Sequence, residues 1–346
     1  MRGRDLTFGA LAVALLVGYI VLGQRVAPLL LPSGAATPTP ARPTGNVSAP
    51  TIGGTIAFVL RGDVFMLTGG QYASRTEDGR SETPALSPDG RTLYFARVEQ
   101  IDGKSTVDGA VVNARLGYSD IIAKPAGGGS EDILLTGLTK AASGFHQVRW
   151  YVAPAPSPDG KQLAVLEQGA NGSSDLILLD LGTKKPPIRL SNGADWADPA
   201  WSPDGKTLVV TAYDSGTPEL LLKPADGITR SVPLKGLPDG EPYRPTFTPD
   251  GKWIVYTLRH DGKNDLHAFE IATDRDVALT TDGQSWNPSV SPDGTQVAFL
   301  RSTSFTIDLW VLDLGGALDA GGSPTGAQRI TKGEGIDGAN RPSWGR

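Results

Sequence analysis

The sequence predicts an all-β chain: a six-bladed β-propeller with split-blade closure, preceded by one N-terminal transmembrane helix. Three observations carry this expectation. An apolar run without charge lies near the start, glycine and proline are unusually abundant, and one turn tetrapeptide returns five times. Gly (44) and Pro (27) together make 71 of 346 residues. That is roughly a fifth of the chain, against a typical value of about 12%. A helical bundle does not tolerate so many breakers, whereas a β protein with many turns does. The 39% hydrophobic and 20% charged content is that of an ordinary globular chain. There is no cysteine, which excludes disulfides, thiolate metal sites and cysteine nucleophiles. Three histidines, His146, His260 and His267, do not suggest a His-rich metal centre. The net charge is −5, with +3 on residues 1–50 and −8 on the remainder. An acidic globular part argues against nucleic acid as a partner.

Leu6 to Gly23 reads LTFGALAVALLVGYIVLG, eighteen residues without a charge. As a helix it is about 27 Å long, enough to cross a hydrocarbon core of about 30 Å. Arg2 and Arg4 precede it, so residues 1–5 are expected to stay cytoplasmic and the rest to be exported. The alternative is a cleaved signal peptide and a secreted chain. Its apolar core is normally about 7–15 residues, with small residues at the cut. Ser33-Gly34-Ala35 offers such a cut, but ten residues past the run. Residues 24–50 read as a linker. Pro32–Pro50 is rich in Pro, Thr, Ser and Ala, and such a segment is expected to be extended and mobile.

Residues 51–346 are expected to form the propeller. Ser/Thr-Pro-Asp-Gly recurs at Ser87–Gly90, Ser157–Gly160, Ser202–Gly205, Thr248–Gly251 and Ser291–Gly294, at separations of 70, 45, 46 and 43 residues. Ser or Thr suits the first position of a type I turn and Pro the second, and Gly then takes the left-handed conformation of a bulged hairpin. Strand-like runs follow at Thr92–Ala96, Gln162–Leu166, Thr207–Thr211, Trp253–Thr257 and Gln296–Leu300. Their density in β-branched, Leu and aromatic residues fits strands buried on both faces. Before each turn stands Pro-x-apolar, at Pro84, Pro154, Pro199, Pro245 and Pro288, where proline can open a strand. Third and fourth strands complete units of 43–46 residues, the period of a propeller blade. At the ends, residues 55–76 lack an opening Pro-x-apolar strand, and Arg341-Pro342-Ser343-Trp344 supplies one with no blade after it. Joining the two gives five whole blades and one split blade, a closed ring without open edges.

The unit P-x-W-S-P-D-G-K-x-L, clearest at Pro199–Leu208, resembles the repeat of the six-bladed propeller of TolB and its relatives. Similar blades occur in the lid domain of prolyl oligopeptidase-type hydrolases. The resemblance spans about residues 51–346 and speaks for fold far more than for function. The anchor and linker stand where TolB has an α/β domain.

Catalytic signatures are scarce. There is no Gly-x-Ser-x-Gly elbow and no α/β domain after the propeller to hold a triad. The turn aspartates lack the spacing of sialidase Asp boxes and read as structural. No ligand spacing points to a metal, and no catalytic residue or cofactor is assigned. In a propeller the first strand of each blade lines the central channel. The residues before the six aligned prolines, Thr83, Ala153, Asp198, Arg244, Asn287 and Arg341, are therefore expected to ring its mouth. Tyr243, Trp286 and Trp196 are their aromatic neighbours. We take Thr83, Asp198, Arg244, Asn287, Arg341, Tyr243, Trp286 and Trp196 as the candidate ligand-binding rim. Two Arg, an Asp, an Asn and aromatics suit a peptide, a carboxylate or a sugar. The bland reading is that the charges pair with each other or stay solvated, and that the aromatics pack between blades. Trp201, Phe247 and Trp344 are assigned to the inter-blade core. The first whole unit carries a surplus of 25 residues, at about Val98–Gly117 and Leu138–Tyr151, both expected as loops on the rim face.

The expected function is that of a membrane-anchored extracytoplasmic module that binds a protein, a peptide or another cell-envelope component, without catalysis. The alternative is an enzyme using the central pocket, metal-assisted and lactonase-like or carbohydrate-active.

Overall fold

The computed structural model describes residues 45–46, 52–107, 110–140, 146–169, 172–183, 185–304, 306–314, 316, 318 and 326–346. The anchor at 6–23 and most of the linker lie outside these residues. Among the described residues no helix is long and apolar enough to cross a membrane.

Six antiparallel sheets form the blades. Blade 1 is split: Ser343–Gly345 is its inner strand, followed outward by Thr55–Leu60, Asp63–Thr68 and Gln71–Ser74. Gly45–Asn46, at the end of the expected linker, adds a short fifth strand to its outer edge. Blade 2 runs Ser81–Leu86, Thr92–Val107, Ala110–Pro125, Asp132–Leu135. Blade 3 is Trp150–Pro156, Gln162–Gln168, Ser174–Asp180, Ile188–Arg189, and blade 4 is Trp196–Trp201, Thr207–Ala212, Glu219–Pro224, Val232–Pro233. Blade 5 is Glu241–Phe247, Trp253–His260, Lys263–Glu270, Arg275–Ala278, and blade 6 is Ser285–Val290, Gln296–Thr303, Thr306–Asp313, Gln328–Arg329.

The core is a ring of six apolar layers, one between each pair of neighbouring blades. Successive residues of a strand point to opposite faces, so one second strand feeds two layers. In Gln162–Gln168, Leu163 and Val165 pack toward blade 2, whereas Ala164 and Leu166 pack toward blade 4. This is why these strands are apolar at consecutive positions. The sixth layer joins Ile56 and Phe58 of blade 1 to Leu300 and Leu309 of blade 6, and Trp344 belongs to it. Backbone pairing of Thr55–Ala57 with Ser343–Gly345 closes the ring.

The five turns share one geometry. Gly90, Gly160, Gly205, Gly251 and Gly294 have φ between 69° and 75°. In each, the Ser or Thr hydroxyl donates to the turn Asp, at 2.5–2.7 Å, and accepts the N–H five residues on. The first surplus differs from expectation. Val98–Gly117 is largely not a loop: the second and third strands of blade 2 continue, paired from Thr92↔Pro125 out to Val107↔Ala110, as a long two-stranded ribbon. Paired strands satisfy their own backbone groups, which an irregular loop of that length cannot do. The second surplus includes a short hairpin, Leu138–Lys140 with His146–Val148.

Candidate functional site

Near the start of five of the six inner strands, those of blades 2 to 6, the ladder slips. Glu82 faces Ala96 and Ala85 faces Tyr94, so three residue steps oppose two, a β-bulge. The same shift occurs at Val152/Ala155, Ala197/Ala200, Tyr243/Thr246 and Trp286/Ser289. The residue before proline in each bulge has positive φ: Thr83 48°, Ala153 51°, Asp198 55°, Arg244 56° and Asn287 59°. A left-handed non-glycine residue costs about 1–2 kcal/mol. The cost recurs at the same structural position in five blades, and a bulge re-aims the side chain that it carries. Arg341, the sixth equivalent, is not among the positive-φ residues.

The bulges bring the charged candidates together. Arg244 Nη1 lies 2.9 Å from Asp198 Oδ1, in a pair whose side chains are 25% and 7% exposed. Asp198 Oδ2 also accepts from Thr211 Oγ1 at 3.3 Å and from the Arg244 backbone N–H at 3.4 Å. Arg244 Nη2 donates to the Ala339 carbonyl at 2.9 Å. Arg341 departs from the expected exposed rim charge. Its side chain crosses the channel, donating from Nη1 to Pro245 O at 2.8 Å and from Nη2 to Pro199 O at 3.5 Å. Burial pushes its guanidinium pKa down to about 10; Asp198 opposes that shift and Arg244 adds to it. Asp198 is thus in contact with one guanidinium, that of Arg244, and acts on the other only through its field.

The neutral candidates are tied to the segment before the last strand. Thr83 N–H donates to Asn340 Oδ1 at 2.6 Å, and Thr83 Oγ1 accepts from Ala153 N–H at 3.2 Å. Asn287 Nδ2 and Trp286 Nε1 both donate to Gly338 O, at 3.1 and 2.9 Å. The aromatic candidates are mostly spent on packing. Trp196 is buried in the layer between blades 3 and 4, its indole N–H on Asp214 at 2.8 Å. Trp286 packs against the layer between blades 6 and 1. The Tyr243 hydroxyl donates to Asn264 Oδ1 at 3.0 Å, and burial raises its pKa.

Sequence reasoning missed Tyr213. It follows the second strand of blade 4, outside the repeated motif; its side chain is still 37% exposed, and desolvation of the phenol, then Asp198, push its pKa up to about 12. It also missed an aspartate near the start of the third strand, buried at Asp175 and Asp308 and half-buried at Asp265. Asp175, Asp265 and Asp308 accept backbone N–H groups of Gly193, Gly283 and Gly333, at 3.1, 3.0 and 2.6 Å, tying the third strand to the approach to the next blade. The signal was the repeated Asp-Leu pair near the opening of those strands, at Asp175-Leu176, Asp265-Leu266 and Asp308-Leu309. Among the described residues no group of three or more His, Cys, Asp or Glu side chains could hold a metal ion.

Below the rim the inner strands enclose a cavity of about 660 Å³. Its walls include Pro84, Pro154, Pro199, Trp201 and Phe247, Arg341 lines it as well, and it reaches the Ser-Pro-Asp-Gly turns.

The family model described as the TolB beta propeller domain matches residues 132–345. An uncharacterized protein of Agrobacterium fabrum is 28% identical over 172 residues, 48% of this chain and 56% of that protein. A probable dipeptidyl-peptidase 5 of Trichophyton verrucosum is 33% identical over 127 residues, 35% of this chain and 17% of that protein. The chain thus spans about half the length of the first relative and under a fifth of the second. The crystal structure of TolB from Acinetobacter baumannii superposes with a TM-score of 0.62 at 20% identity, covering 87% of this chain and 67% of that one. At that identity the likeness is one of fold.

Proposed function

We propose, from the premise that this chain belongs to the TolB β-propeller family, that it is a binding module held at a membrane by residues 6–23, with its propeller on the extracytoplasmic side. Its partner is a protein or peptide of the cell envelope, gripped at the rim formed by Thr83, Asp198, Arg244 and Asn287 with Arg341 behind them. One observation carries this reading. Five bulges, each strained by a left-handed residue, bring side chains distant in sequence to one end of the axis. Among them is a pair in which Asp198 is nearly buried and the Arg244 guanidinium is partly open to solvent. An exposed guanidinium face accepts carboxylates bidentately and stacks on aromatic rings.

Two measurements test the two halves. Photo-cross-linking from the rim in intact cells should capture a partner from the wild-type chain. Capture should weaken with Arg244→Ala, because losing a desolvated charge contact costs about 2–5 kcal/mol of affinity. Arg91→Ala, beside a turn at the other end of the inner strands, should capture normally. Equal capture by Arg244→Ala and wild type removes the rim from the account. Protease added outside spheroplasts should cut the linker and release a resistant propeller. Complete protection of the linker reverses the orientation.

A further inference from the structure

We propose that the channel below the rim is a pocket for a carboxylate carried on an extended chain, with the Arg341 guanidinium as its receptor. The pocket shares Arg341 with the rim but reaches toward the Ser-Pro-Asp-Gly face, and it can fill whether or not Arg244 and Asp198 hold a partner, so the inference goes beyond the rim reading and does not depend on it.

The argument starts from hydrogen-bond capacity. A guanidinium carries five N–H donors and no acceptor. Arg341 uses two, both on neutral carbonyls, and one of these bonds is long, at 3.5 Å. Among the described residues no carboxylate lies within ion-pair distance of it. The acid that feels its charge, Asp198, is already engaged by Arg244 and Thr211. A half-buried cation with donors to spare and no carboxylate in contact with it is incompletely compensated. Its lowered pKa has burial as its first cause, in keeping with that geometry. An incoming carboxylate supplies what is missing, two acceptor oxygens and one negative charge, in the bidentate geometry that arginine favours.

The walls are mixed and suit an extended chain. Pro84, Pro154, Pro199 and Pro342 present rings and no N–H, Trp201 and Trp344 add indole surface, and Thr246, Ser289 and Ser343 stand among them. A cavity of about 660 Å³ falls in the size range of ligand pockets. The lining does not oppose an anion. Its charged side chains are one carboxylate, Asp89, and two guanidinium groups, Arg341 and Arg346. A chain end or acidic side chain at the tip of a partner segment carries this chemistry. A polyanion such as nucleic acid does not, because the receptor is one guanidinium inside the channel.

The test titrates the purified full-length chain with acetyl-tetraalanine bearing a free terminal carboxylate, and with the same peptide as its terminal amide. Calorimetry and the fluorescence of the channel tryptophans are the readouts. The free acid should bind at least about tenfold more tightly than the amide. Arg341→Gln should abolish that preference. Arg341→Lys keeps the charge but loses the planar fork, and should weaken acid binding at least about threefold, which serves if the Gln variant does not fold. Equal binding of acid and amide overturns the proposal, as does the absence of saturable acid binding up to about 10 mM. Unchanged acid affinity in the Lys variant overturns it too. Partner capture in cells reports the rim and peptide titration reports the pocket, so either can fail while the other stands.

Discussion

Gly90 and Gly160 hold the same turn position at nearly the same φ, 70° and 69°, yet their surroundings differ. A Cβ on Gly160 meets nothing within 4 Å, whereas one on Gly90 falls 2.1 Å from the backbone oxygen of Arg346. Gly160→Ala should therefore lose only the left-handed penalty, about 1–2 kcal/mol. Gly90→Ala should lose more, because backbone must also move. Urea denaturation of the two variants measures the difference. The turns also set an acid response. Asp89, Asp159, Asp204 and Asp293 have carboxyl pKa values held below the usual range, first by the Ser hydroxyl and then by a backbone N–H. A depressed folded pKa stabilises the native state above the unfolded value and loses that contribution as pH falls through the folded one. Thermal stability should therefore decline on acidification below about pH 4. Ser157→Ala combined with Ser202→Ala should make that decline shallower, as thermal melts across the acid range will show.

At the scale of the element, each blade is tied to the next by more than apolar packing. Asp308 is fully buried and accepts from Thr306 Oγ1 at 3.0 Å, Arg329 Nη2 at 2.5 Å, Thr331 Oγ1 at 3.2 Å and Gly333 N–H at 2.6 Å. Asp308→Ala leaves those donors, one of them charged, without their acceptor. The expected loss is about 3–5 kcal/mol, read from the denaturation midpoint. The blade 2 ribbon and the hairpin of Leu138–Lys140 with His146–Val148 are elements whose form the sequence misstated. Val98–Gly117 carries Asp-Gly at 102–103 as well as at 108–109, a loop signal, yet the pairing runs straight through the first, Asp102 to Arg115 and Gly103 to Ala114.

For the whole molecule, stability rests on closure. The six core layers form a ring only while Ser343–Gly345 stays paired to Thr55–Ala57. Trp344 adds its ring to the layer between blades 6 and 1 and donates from Nε1 to Gly53 O at 2.7 Å. Deleting Ser343–Arg346 exposes the inner edge of blade 1 and opens that layer, so aggregation and a marked fall in melting temperature are expected. Trp344→Ala, a milder change, should cost about 3–5 kcal/mol. A melting temperature unchanged in the deletion variant contradicts the split-blade closure.

The blade count, the split blade and the positions of the turns were legible in the sequence alone. Each is specified by local chemistry: proline fixes φ, glycine reaches left-handed φ, and a hydroxyl and a carboxylate two residues apart bond within the turn. Repetition at a blade period then makes the ring the arrangement that buries every apolar face. The grouping of Asp198, Arg244 and Arg341 could also be anticipated, because the repeat places them at one position in three blades. Their roles could not. That Arg244 spends itself on Asp198, that Arg341 turns inward across the channel, and that Trp196 and Trp286 are held by packing depend on contacts between residues tens to hundreds of positions apart. Such contacts exist only once the ring has closed. A repeat specifies where a side chain starts, and the blades across the axis decide where it ends.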